Sequence, residues 1–202
     1  MRTIGHVMNP PSCKLSSCSF LALFMAAACS SKPTWSEIAS ADLSPKQAAQ
    51  KVAAETARQQ LAGTLLGELS TALGKQGTAA AIRVCRDRAP AIASEVASRQ
   101  RVRIGRTSLR LRNSDNTTPA WAAAHVAANI AAPALLVGPE GQLGALYPIP
   151  LMPQCVQCHG PEEQLSAEVK SALKADYPSD HATGFAPGDL RGWFWIEVPA
   201  AQ

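Results

Sequence analysis

Charge and aromatic side chains are both scarce: 17% of the 202 residues are Asp, Glu, Lys or Arg and 5% are Phe, Trp or Tyr, against 47% hydrophobic. So apolar and weakly charged a chain is not disordered, and its length suits one domain with short appendages. A strong charge of one sign is missing as well. The formal net charge is +4. The densest basic run, Arg99, Arg101, Arg103 and Arg106, is interleaved with Val102 and Ile104. It reads as one face of a strand or loop rather than a phosphate track, which excludes a nucleic-acid partner. Internal repeats are absent. After residue 30 no apolar run approaches the roughly 20 residues that a membrane-crossing helix requires.

The chain opens instead with an export signal. Arg2 and Lys14 precede a short apolar run from Phe20 to Ala28, which is the order of a secretory leader and too short to span a bilayer. Ala26-Ala27-Ala28-Cys29 ends that run as a bacterial lipobox does. Residues 1–28 are therefore expected to be a leader of lipoprotein type, with Cys29 lipidated as the first mature residue. Ordinary signal-peptide cleavage after Ala28 is the alternative. Residues 29–43, beginning Cys29-Ser30-Ser31-Lys32-Pro33, read as a tether. The expected location is periplasmic, on a bacterial membrane through Cys29, the outer membrane before the inner. Removing a leader that carries two bases and no acid halves the net charge.

Ser44-Pro45-Lys46-Gln47 is a helix start, with a capping hydroxyl, a first-turn proline and Gln three residues after the cap. Val52, Leu61, Leu65, Leu66, Leu69 and Leu73 then recur at helical spacing until Gly74 and Gly77. The Ala-rich stretch from Thr78 to Ser98 resumes helix, and Pro90 predicts a kink or break just past Cys85. Val102, Ile104, Leu109 and Leu111 alternate with polar residues, as in a strand. A short helix through Trp121, a hairpin about Gly138–Gly141, a helix over Ser166–Ala175 and a strand at Trp193–Val198 complete the pattern.

Cys155-Val156-Gln157-Cys158-His159 is the pattern by which two thiols add across haem vinyl groups and the adjacent histidine ligates the iron. Export agrees with it, since c-type haem is attached outside the cytoplasm. A disulfide would leave His159 unexplained, and a zinc site lacks a second ligand pair at fixed spacing. One covalent haem c is the expected cofactor.

The opposite axial position is open on the residues alone: Met152, His125, His181 and Cys85 all offer donors. Met152 lies only three residues before Cys155, and the two histidines fit solvated or hydrogen-bonded roles. Cys85 is the cysteine left over once leader, lipid site and haem thiols are assigned. Composition favours reading it as a small buried hydrophobe.

Four blocks taken together resemble a family of exported PAS-like c-type haem domains, long labelled a domain of unknown function. They are Ala81–Cys85 with Ala89–Ala93, Gly105–Asn113 with Asn116, Cys155–Gly160, and Tyr177–Phe185 with Gly188–Gly192. The resemblance covers 44–198. It implies an α/β (α+β) fold, a PAS-like antiparallel sheet flanked by helices behind a long N-terminal helix. It further implies His159 and Cys85 as axial iron ligands. Arg106 and Arg112 then become candidates for pairing with the haem propionates, surface arginines on a strand being the other reading.

Relatives of this kind resemble the sensor parts of membrane signalling proteins. The expected role is redox or gas sensing, or electron transfer, without catalysis. The expected partners are a separate redox or signalling protein, a diatomic gas and a second copy of the chain. A haem enzyme, a small peroxidase or nitrogen-oxide reductase with an open distal site, is the rival.

Overall fold

A computed structural model describes residues 34–200. The leader 1–28, the lipidation site Cys29 and residues 30–33 lie outside the described residues. In chain order the elements are β1 (Ser36–Glu37), α1 (Pro45–Gln76), α2 (Thr78–Arg83), α3 (Ala89–Gln100), β2 (Arg103–Thr107) and α4 (Ala123–Ala127). They are followed by β3 (Ala134–Val137), β4 (Leu143–Pro150), α5 (Val156–His159), α6 (Ala167–Asp176) and β5 (Leu190–Val198). The five strands form one antiparallel sheet in the order β1-β3-β4-β5-β2.

Period-two alternation sorts the strand side chains onto two faces. Leu135, Leu143, Ala145, Tyr147, Phe194, Ile196 and Val198 face α1 and α3, where Ala54, Ala57, Leu61, Ile92 and Val96 close the main core. Leu136, Leu146 and Trp193 face the other way and pack on Trp121, Ala122 and Val126. The sheet is thus covered by helix on both sides, as the expected α/β layering requires. Gln50 ties the start of α1 to the sheet's edge by donating to the Gly141 and Pro199 carbonyls at 3.0 and 2.8 Å.

The helix boundaries follow from local chemistry. The Ser44 hydroxyl accepts from Gln47 N while the Gln47 side chain accepts from Ser44 N, a reciprocal cap. The other end of α1 is set by Gly77, at φ +82°, a conformation that a side chain disfavours. No helix among the described residues is long and apolar enough to cross a membrane.

The interruption that Pro90 predicts just past Cys85 takes the form of a widened turn rather than a break, and two other expectations need correction. Residues Val84–Arg88 form a π turn in which Ala89 N donates to Val84 O, and α3 runs on through Pro90 near its start. The wider turn carries the chain past a residue that has no N–H to give. The strand after Arg101 ends at Thr107 instead of running to Arg112. Beyond the Thr107↔Trp193 pair the chain leaves the sheet, and Leu109 is 56% exposed. The segment read as tether is structured from Trp35 onward: Trp35 stacks on Trp121 with ring centroids 5.3 Å apart, and Ile38 N donates to Leu135 O at 2.9 Å.

Leu61, fully buried where α1 meets the sheet, anchors that core. Leu61→Ala is expected to cost about 2–5 kcal/mol in urea unfolding of the purified protein with the denaturant slope unchanged, and Val52→Ala, at an exposed position of the same helix, under about 0.5 kcal/mol.

Candidate functional site

Between α1 and the sheet lies a cavity of about 420 Å³, within the usual range of roughly 300–1,000 Å³ for small-molecule sites. Leu65, Leu66 and Leu69 of α1 form one wall; Cys85, Arg106, Arg112, Cys155, His159 and Arg191 also line it. A smaller adjoining pocket adds Cys158 to Cys85, Cys155 and His159. All six residues singled out from the sequence for cofactor binding therefore converge, although they come from a π turn, a strand, a loop and a short helix. Met152 stands at the cavity wall. His125 and His181 line neither pocket: His125 Nε2 lies 3.4 Å from Glu37 on the opposite side of the sheet, and His181 is exposed.

Cys155 stands at the N-cap of α5 and Cys158 lies within it, and neither they nor Cys85 is in a disulfide. Among the described residues no three of His, Cys, Asp or Glu cluster as a metal site built from protein ligands alone requires. Burial is the largest influence on all three thiols and raises each above its ordinary value. At Cys85 the positive charges of Arg106, Arg112 and Arg191 oppose it. A buried thiol facing three cations is held as a thiol until a metal takes the proton's place.

The orientation of His159 is set by its neighbours. Its Nδ1 lies 2.6 Å from the Ala182 carbonyl and 3.3 Å from Arg191 Nε. A carbonyl only accepts, so the shorter contact requires a proton on Nδ1, and the Arg191 approach is a contact without a shared hydrogen. Burial, reinforced by Arg112 and Arg191, pushes the imidazole down to about 2 against the opposing pull of the Ala182 bond. The ring is therefore neutral, with the Nε2 lone pair free to ligate, the arrangement that second-sphere carbonyls impose on metal-bound histidines. Phe185 packs edge-on against it at 6.3 Å.

Arg112 holds this arrangement together. Its Nε donates to Asp180 Oδ2 at 3.1 Å, and its Nη2 donates to the Cys158 and Ala182 carbonyls at 2.5 and 3.3 Å. Asp180 Oδ1 in turn accepts from Ala182 N at 2.8 Å. One buried ion pair thus joins the Cys158 turn to the carbonyl that orients His159. Arg112 is largely engaged within the protein, whereas Arg106 faces the cavity without an acidic partner among the described residues.

Arg191 was not singled out from the sequence. It stands beside Gly192, where an added Cβ would fall 2.2 Å from Thr107 O, so the close crossing of β5 over the end of β2 demands glycine. That crossing turns Arg191 toward His159. Burial, then repulsion from Arg112 and Arg106, pushes Arg191 down to about 10. Beside His159, Arg106, Arg112 and Arg191 face one carboxylate, Asp180, which is already paired with Arg112.

A model of the Tll0287-like family matches residues 30–199. The chain belongs to the Tll0287-like family. Among solved structures it is similar to the cyanobacterial haem protein Tll0287, at 24% identity and a TM-score of 0.59, over 79% of this chain and 99% of that one. At that identity the likeness shows the fold, a mixed α/β domain. No curated protein matches.

Because Asp180 neutralises a buried guanidinium, Asp180→Ala is expected to lower unfolding free energy by about 3–5 kcal/mol in denaturant titration, while Asp115→Ala, in the exposed loop nearby, leaves the midpoint in place.

Proposed function

We propose that this chain is a c-type haem protein, carrying one haem covalently on Cys155 and Cys158 with His159 and Cys85 as axial ligands of its iron. The observation that carries the reading is the convergence of Cys85 on the same cavity as the Cys155–His159 motif. Similarity to a solved haem protein of the same family supports it.

The residues present fit the group. Two free thiols with two residues between them sit beside an imidazole with an available Nε2, a third sulfur lines the same cavity, and arginines short of counter-charge await an anion. Haem bound there supplies a one-electron iron couple whose potential a thiolate ligand lowers. The chain's own contributions are distinct. Ala182 and Arg112 hold His159 in one tautomer and one orientation. The π turn between α2 and α3 presents Cys85. Leu65, Leu66 and Leu69 keep water from the apolar wall. Arg106 and Arg191 offer planar donor forks to the haem carboxylates, and Arg112 acts chiefly by positioning.

We read the fold as PAS-like, on the five-stranded antiparallel sheet covered by helices. We assign the protein to redox or gas sensing, or to electron transfer, with the signal or electron passed to a separate protein partner. Export to the periplasm, with Cys29 lipidated and held in the outer membrane, and pairing with a second copy belong to the same proposal. A peroxidase or nitrogen-oxide reductase would need an acid/base group on an open distal side. Neither His125 nor His181 reaches the cavity to serve as one.

Absorption spectra of the periplasmically matured protein test the ligation. Wild type is expected to show a low-spin ferric spectrum with thiolate character, and Cys85→Ala to lose it; identical spectra would remove Cys85 from the iron. Replacing both Cys155 and Cys158 by Ala is expected to leave no haem on the polypeptide after acid–acetone extraction. Haem retained covalently would refute the attachment. Carbon monoxide binding on reduction separates gas sensing from simple electron transfer.

A further inference from the structure

Ile82, Cys85, Ala89, Ile92 and Val96 follow one another at intervals of three and four residues, so an unbroken α-helix would set all five on one stripe. The structure divides them. Ala89, Ile92 and Val96 pack into the main core with α1 and the sheet, whereas Ile82 packs with Leu165, Val169, Leu173 and Tyr177 in a separate cluster about α6. Cys85 belongs to neither cluster and lines both the main cavity and the smaller pocket.

The change of face happens in the π turn. There Ala89 N reaches back to Val84 O, and a turn wider by one residue offsets what precedes it by about one position, roughly 100° around the axis. With α3 seated by Ala89, Ile92 and Val96, a regular helix would carry the Cys85 thiol toward the same core. The offset releases it to the cavity instead.

Pro90 excludes the narrower pitch. In an α-helix the residue at position 90 donates to the Arg86 carbonyl; proline has no N–H for that bond, and its ring presses on the same carbonyl. Near the start of α3, behind a widened turn, the ring meets neither obstacle. Pro90 is itself exposed and belongs to none of the core clusters, so packing does not account for a pyrrolidine ring there. Two ion pairs tie the turn to its neighbours: Arg86 pairs with Asp176 at the end of α6, and Arg88 Nε and Nη2 donate to the Glu68 carboxylate of α1 at 2.9 and 2.8 Å. Half-exposed pairs of long side chains constrain a backbone weakly, whereas the missing N–H is absolute.

We infer that Pro90 is a positioning residue for the axial thiolate: by excluding the α-helical bond to the Arg86 carbonyl it imposes the wide turn that aims Cys85 at the haem iron. The inference rests on the His159 and Cys85 ligation proposed above.

The test compares matured wild-type holoprotein with Pro90→Ala, Pro90→Gly and, as a control at an exposed proline of the hairpin turn, Pro139→Ala. Ferric absorption and electron paramagnetic resonance spectra and a potentiometric titration are recorded for each. Pro90→Ala is expected to keep covalent haem, to lose the ferric thiolate signature and to shift its midpoint potential upward, since thiolate donation is what lowers it. Its unfolding midpoint is expected to stay in place, because no packed side chain is removed. Pro90→Gly is expected to lose less of the signature, as glycine favours a regular helix less than alanine does, and Pro139→Ala to match wild type. Should Pro90→Ala not fold, Pro90→Gly carries the comparison. Wild-type spectra and potential in both Pro90 variants would overturn the positioning role alone. So would a larger loss in Pro90→Gly than in Pro90→Ala, the order produced if the ring acts only by stiffening the chain. A Cys85→Ala spectrum identical to wild type would overturn the ligation itself, and the inference with it.

Discussion

One helix has to do two jobs, and the rest of the molecule is arranged around that requirement. α1 presents Ala54, Ala57, Leu61 and Leu65 to the sheet and α3, while the adjacent stripe of Arg58, Ala62, Leu66 and Leu69 turns toward open space. Neighbouring stripes on a helix diverge by about 100° per residue of offset, so a helix seated firmly on a sheet necessarily aims its next stripe along the sheet's flank. In this protein that flank is not filled by side chains. At 32 residues, or about 48 Å, α1 is long enough for one stripe to anchor it on the sheet while the next walls the cavity. Its last turns find support in α2 through Ala72, Ala80 and Ala81.

The electrostatics of the cavity follow from what surrounds it. Arg106, Arg112 and Arg191 are crowded enough that burial and mutual repulsion depress Arg191 and burial depresses Arg106. A folded domain seldom tolerates such crowding without return. Part of the return is internal, in the Arg112–Asp180 pair that clamps the motif turn to the 180–182 segment. The remainder is a preorganised positive field that favours an anionic occupant. The neutral His159, the raised Cys85 and the unpaired arginines describe one environment: dry, positively biased and lined with soft donors.

Legibility differed by the range of the interaction. The start of α1 could be read from Ser44-Pro45-Lys46-Gln47 and its end from Gly77 because capping acts within one turn. The hairpin about Gly138–Gly141 and the strand at Trp193–Val198 were readable for the same reason. Pro90 marked the place of the interruption but not its form, because a missing N–H can be met either by breaking a helix or by widening one turn, and the packing of Ala89, Ile92 and Val96 on the core selects the second. Leu109 and Leu111 kept the alternation of a strand after their partner strand had departed: Leu111 lines the cavity, and Leu109 faces solvent. Trp35 was hidden in a segment of small polar residues, and only its stack on Trp121 gives it a place.

By itself the sequence determined what lies within a few bonds: the two thiols and the imidazole at Cys155, Cys158 and His159, whose spacing is set by the covalent chain. It also placed the helix caps and the alternating strands that make a two-faced sheet. Tertiary structure decided what those residues meet. It brought Cys85 to the motif from a distant turn, reserved Arg112 for Asp180 and the Ala182 carbonyl, and turned Arg191 toward His159. The physical reason is that such contacts depend on strand register and helix seating across long stretches of chain. Local spacing carries no record of them.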